Sequence, residues 1–234
     1  MMTATTTVYV DETRYNLYAS IHKGLRRAQG QLVTRLGAID PLNDADVAGL
    51  LQDMRLMVTM GRKHLHHENI FIHTEIETRR VGATTRLVDD HDHHERDFDE
   101  LETRFRQIEA APPERRSPML RALYLRYTEF LAHDFEHMIE EETETLSLLH
   151  RLFSDGELAA IEGRIVGSVE PGMMMEFIRI MIPAMNPAER LGMLGGMKAA
   201  MPVPVFAAVV DMGVKPVLAP SDWHALEQAL AKAA

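Results

Sequence analysis

The sequence predicts an all-α protein: an antiparallel up-down-up-down four-helix bundle over residues 12–151, followed by a Met-rich helical extension over residues 152–234. Three observations carry that expectation. Apolar residues recur at steps of three and four through four long stretches, the spacing of one helix face. Short breaks rich in Asp, Pro and Gly separate those stretches, which suits antiparallel neighbours. After His150 the pattern changes, and nine of the sixteen methionines fall in the remainder.

The first helix is expected over Glu12–Gly37, where Tyr18, Ile21, Leu25, Ala28, Leu32 and Leu36 form the apolar stripe and His22 sits inside it. Asp40-Pro41 breaks that helix, and Asn43 or Asp44 caps a second one extending to about Arg80. Its seam reads Val47, Leu50, Met54, Met57, Gly61, His64, Glu68, Phe71 and Glu75. Gly82 marks the next turn. A third helix follows over Ala83–Ala110, with Leu87, His91, His94, Phe98, Leu101, Phe105 and Ile108 on one seam. Ala111-Pro112-Pro113 ends it, and Ser117-Pro118 opens the fourth, with Ser at the cap and Pro in the first turn. That seam carries Leu120, Leu123, Tyr127, Phe130, Asp134, His137, Glu141 and Leu148, with His133 beside the same face.

In the extension, Ser154-Asp155-Gly156-Glu157 is a capping-box signature opening a helix to about Val169. Pro171-Gly172 interrupts it, and a Met-rich apolar helix runs to about Met185. Asn186-Pro187 opens another to about Met201, Pro202 and Pro204 punctuate again, and Ser221 opens a last helix containing Trp223 and Leu226. The methionines read as adaptable core packing and as a surface for self-association into a homo-oligomer.

Composition excludes several function classes. The chain has 234 residues, 46% of them hydrophobic, enough to bury a sizeable core. A formal net charge of −10 argues against nucleic acid as a partner, since phosphate binding needs clustered Lys and Arg. With no cysteine there is no disulfide, thiolate zinc site or iron–sulfur cluster, so any metal is held by nitrogen and oxygen. Met1–Thr7 lacks the basic and apolar regions of a signal peptide, and no apolar run is long enough to span a bilayer. A cytoplasmic protein without membrane contact is the expectation. Glycine-rich phosphate loops and nucleophile elbows are missing, and Phe71 stands where a zincin motif starting at His67-Glu68 needs His.

Chemistry is concentrated on the four seams. His64 with Glu68, and His137 with Glu141, are four residues apart and so share a helix face. Burying such groups unpartnered costs several kcal/mol, and a metal ion satisfies them together. At about 1.5 Å rise per residue and alternating helix direction, His22, Glu68, His91 and His137 fall at one depth. Histidines mixed with two glutamates suit two closely spaced iron ions bridged by carboxylate. Ferritin-like centres are a poorer match, because no Glu stands three residues before any His.

Over residues 12–150 these positions resemble the hemerythrin-like family, or HHE cation-binding domain: a lone His on the first helix, His-x-x-x-Glu on the second, His on the third and His-x-x-x-Glu on the fourth. His22, His64 with Glu68, His91, and His137 with Glu141 take those places, and the runs HLHHENIF and HMIEEETETL are similar to the family's own. The resemblance implies a non-haem di-iron centre, oxo- or hydroxo-bridged when oxidised, with zinc as a substitute ion. Its ligand would be O2, peroxide or NO, in sensing or iron handling. Glu95 and Glu142 stand where oxygen-carrying hemerythrins have a second His on the third helix and an Asp on the fourth, which points away from oxygen carriage. Repair relatives carry a cysteine-bearing N-terminal domain, and with no cysteine in this sequence a repair role is not the expectation.

His94, His133 and His67 are additional candidates, as further ligands or as groups that orient the ligands. His66, His67 and His93 read first as facing solvent or a neighbouring helix, and Asp89, Asp90, Asp92, Asp97, Asp99 and Glu100 as the solvated face of the third helix. Two other readings share these residues: a di-iron enzyme acting on peroxide or a small oxidisable substrate, and a structural bundle binding zinc or no metal.

Overall fold

The computed structural model describes residues 10–232; the stretch Met1–Thr7, which carries the expectation about a signal peptide, lies outside them. Among the described residues the regular structure is helical, with no strand. The α-helices are α1 (Ala19–Gly37), α2 (Asp44–His67), α3 (Thr74–Arg79), α4 (Thr85–Ala110), α5 (Pro113–Glu140), α6 (Leu146–Leu152), α7 (Asp155–Ser168), α8 (Pro171–Ala184), α9 (Pro187–Ala200), α10 (Val203–Val209) and α11 (Pro220–Lys232). None is long and apolar enough to cross a membrane. The described chain forms two compact units, residues 10–18 with 29–167 and residues 19–28 with 168–232.

In the first unit the ends of the helices follow local chemistry. The Asn43 side chain accepts from the Asp46 N–H at 3.2 Å and starts α2 as expected. α1 starts at Ala19, later than the expected Glu12. Asp11 there accepts from the Thr13 N–H and hydroxyl, and Asn16 from the Tyr18 N–H, so side chains compete with helical hydrogen bonding. α5 starts at Pro113, ahead of Ser117, because a fixed φ fits the first turn; Pro118 lies inside the helix. Gly82 turns the chain between α3 and α4 with φ of 79°. Gly61 is required by a close approach, since a Cβ there would stand 2.6 Å from the Phe98 ring.

Two apolar clusters fill this unit. One joins Leu36 of α1, Val47, Leu50, Leu51, Met54 and Leu65 of α2, Phe98, Leu101, Phe105 and Ile108 of α4, and Leu120, Leu123, Tyr127 and Phe130 of α5. The other joins Leu17, Tyr18, Ile72, Ile76, Leu146, Leu149, Phe153, Leu158 and Ile161. Because α7 contributes Leu158 and Ile161 to the second cluster, residues 152–167 group with the first unit, beyond the boundary expected at 151. Arg14 fastens the N-terminal stretch, donating to the Asp155 carboxylate and to the His150 and Phe153 carbonyls. In sequence, buried Glu68 falls between Leu65 of the first cluster and Ile72 of the second, and buried His137 and Glu141 fall between Phe130 of the first and Leu146 of the second, so a band of polar side chains lies between the two clusters.

The second unit packs Ile178, Ile182, Leu194, Val209, Val214, Leu226 and Leu230 around partly buried methionines, including Met174, Met181 and Met197. Asn186 and Glu189 form a full capping box at the start of α9. α10, where Pro202 and Pro204 are expected only to punctuate the chain, begins after Pro202 with Pro204 in its first turn. Gly24 brings α1 within 3.1 Å of the α8 backbone at Met181, counted from where its Cβ would be.

Candidate metal centre

The polar band of the first unit begins from two repeated local designs. α2 ends in a π-helical segment, Glu68–His73, and α5 in another, Glu141–Thr145; each segment opens at the glutamate of a His-x-x-x-Glu pair. A π turn inserts extra residues into the helical repeat and is common at functional sites. Ordinary α-helical steps beyond Glu68 lead to Phe71 and Glu75, but Ile72, His73 and Ile76 are the buried positions. The segment thus turns His73 inward, a residue the regular seam leaves out.

Glu68 and Glu141 are 2% and 0% exposed, and His91, His94 and His137 are also buried. The His64 Nε2 lies 3.2 Å from Glu68 Oε1, and the His91 Nε2 lies 3.6 Å from Glu68 Oε2 and 3.8 Å from Glu141 Oε1. The His137 Nε2 is 3.5 Å from Glu141 Oε1 and 3.0 Å from the His91 Nε2. Glu68, His91, His137 and Glu141 each place one donor atom within 4.8 Å of the others, and so do His64, Glu68 and Glu141. Both glutamates belong to both groups.

Neighbouring side chains set proton positions. The Asn69 side-chain oxygen lies 2.9 Å from His91 Nδ1 and accepts a hydrogen bond in the tautomer that carries the proton there, which leaves the His91 Nε2 lone pair on the side of Glu68 and Glu141. Burial opposes a charge on His137, but Glu141, Glu68 and Asp134 outweigh it and hold that imidazolium up to about 9. A protonated His137 donates to the His91 Nε2. Burial also pushes the Tyr18 hydroxyl upward, reinforced by Glu141 and Glu68. His73 is 3% exposed, stacks on His91 with centroids 5.0 Å apart, and has no hydrogen-bond partner at either nitrogen. Burial lowers it to about 4 despite the pull of Glu68.

The remaining candidates divide by position. His94 packs edge-on against His137 at 5.1 Å, its Nε2 3.9 Å from Asp134 Oδ1, and burial lowers it to about 3. Gln29 donates to the other Asp134 oxygen at 2.8 Å. His94 therefore flanks the two groups and belongs to neither. His67 is buried near Phe71, with ring centroids 6.2 Å apart, and burial lowers its pKa. His133, expected beside the His137 face, is exposed, with its ring 5.9 Å from that of His93. Asp97, expected in the solvated acidic face, is buried and accepts from Arg126. His22 is fully buried on α1, in the stretch 19–28 that belongs to the second unit. His73 and Asn69 carry no seam signal, because only the π segment brings them to this band.

Two buried carboxylates drawn to one point need positive charge, and isolated burial of either costs several kcal/mol. One imidazolium proton offsets part of that. The donor set, all imidazole nitrogen and carboxylate oxygen, could hold a metal ion of the kind that takes nitrogen and oxygen ligands, and Glu68 and Glu141 belong to both groups. Comparison with family models, with curated proteins and with solved structures returns no match for this chain.

Proposed function

We propose that this chain is a hemerythrin-like protein, with α1, α2, α4 and α5 forming a four-helix bundle that holds two iron ions in the buried polar band. The observation supporting this reading is that Glu68 and Glu141 belong to both donor groups. A carboxylate can span two ions with its two oxygens, whereas an imidazole nitrogen serves one. Glu68, Glu141, His91, His137 and His64 would hold the ions, the two carboxylates supplying the negative charge that offsets them.

Bound ferrous ions would supply electrons to a small ligand such as O2, peroxide or NO. The protein's own contribution is positional. Asn69 fixes the His91 tautomer, so that Nε2 is ready to bind without a proton to lose. His137 must release its proton on metal binding, so loading is favoured as pH rises. His73, held neutral by burial, offers an acceptor beside His91 that can take a hydrogen bond from a bound ligand. Apolar residues on both sides of the band limit water and strengthen each electrostatic contact. Ligand sensing or iron handling is the role this arrangement fits.

Anaerobic loading with ferrous iron, followed by metal analysis and absorption spectra in air, tests the reading. About two irons per chain, with near-ultraviolet charge-transfer bands, are expected. Loading unchanged in a Glu68→Ala/Glu141→Ala variant would contradict it.

A further inference from the structure

A third group of metal-type side chains lies apart from the polar band. His93 and Asp97 stand four residues apart on α4, and His133 comes from α5. The His93 Nε2 is 3.6 Å from Asp97 Oδ2, and the rings of His93 and His133 are 5.9 Å apart with a 57° tilt. One donor atom from each of the three lies within 4.8 Å of the others. We propose that His93, Asp97 and His133 form a separate, solvent-facing site for a single divalent cation of the zinc, cobalt or nickel class.

What distinguishes this group from a chance surface cluster is Asp97. That residue is 4% exposed, yet its Oδ2 has no hydrogen-bond partner and lies on the side of the two imidazoles. A buried carboxylate oxygen left unpaired is costly, so the position favours a partner. The other oxygen is already committed: Oδ1 accepts from Arg126, which fixes the carboxylate plane. Arg126 does not repel a cation strongly, because Glu100 accepts from it at 2.8 Å and Glu129 stands at 3.7 Å. Two imidazoles and one carboxylate make the nitrogen-rich set that borderline divalent ions prefer over Mg2+ or Ca2+, and water completes the shell at an exposed position. His93 and His94 are adjacent in the chain but face opposite ways, one exposed and one buried, so the outer group is distinct from the inner band.

Zinc binding to the full chain, measured by titration calorimetry, tests this. Wild type is compared with His93→Ala/His133→Ala, whose exposed positions allow both proteins to fold. A second variant, Asp97→Asn, keeps the side-chain shape and most of the Arg126 contact. Wild type should bind one zinc ion more than the double variant, and Asp97→Asn should bind that ion at least about tenfold more weakly. Equal stoichiometry and affinity in wild type and the double variant would overturn the proposal. The readout is a difference between two proteins with the same inner band, so it stands whether or not that band takes iron.

Discussion

The inner and outer groups of this protein use the same side chains in opposite settings. Glu68, His91, His137 and Glu141 are all buried, while His93 and His133 reach water and Asp97 alone is covered. In the inner group, charges must be balanced inside the protein, so an ion bound there acts on folding itself. In the outer group, water can hydrate the rings and Arg126 already balances Asp97, so an ion there adds little to the fold. Burial decides whether a metal is part of the core or a guest at the surface.

The sharpest way to break that contrast is to remove an inner carboxylate. Glu141→Ala should abolish iron loading, and in the metal-free protein it should leave His137 with less counter-charge, costing about 3–5 kcal/mol in denaturant unfolding. Metal removal comes next. A chelator should lower the thermal midpoint by roughly 10 °C if free metal exceeds its dissociation constant about a thousandfold. His93→Ala/His133→Ala should leave that drop unchanged.

A change at His73 should separate stability from binding. Replacing this unpartnered imidazole with an apolar side chain, His73→Leu, should stabilise the metal-free protein by about 1 kcal/mol in denaturant titration. The same change should alter the absorption spectrum of the loaded protein, since a hydrogen-bond acceptor beside His91 is lost.

The pH profile of the metal-free protein follows from the same groups. His73 and His94 are lowered to about 4 and about 3 in the folded state, so the unfolded chain binds more protons below its ordinary histidine range. Stability should therefore fall as pH drops from about 6.5 toward 4. His137, raised to about 9, binds its proton more tightly when folded, and that stability is lost as pH climbs from about 6.5 through 9. Thermal midpoints of metal-free protein should peak near pH 6.5, and the alkaline decline should vanish once metal replaces the His137 proton. Smallest of all, His93→Ala alone should shift unfolding by less than about 0.5 kcal/mol.

Much of this arrangement is written in helical periodicity. The α4 seam from Leu87 to Ile108 and the α5 seam from Leu120 to Glu141 are buried at the positions their spacing predicts, histidines and acids included. The two His-x-x-x-Glu pairs meet because a step of four works in any α-helix. Where periodicity changes, legibility stops. His73 escapes it because the turn from Glu68 is π-helical, and nothing in ENIFIH announces that turn. Asp97 escapes it because it sits in an acidic run, and only its salt bridge across to Arg126 of α5 explains its burial. His133 is one turn from His137 on α5, too coarse a clue to tell the inner face from the outer one.

Anomalous diffraction at the iron edge, on crystals of anaerobically loaded protein, tests the central claim most directly. Two peaks should appear in the first unit, with Glu68 and Glu141 reaching toward both. A single peak touched by only one of those carboxylates, or no peak between them, would contradict the account.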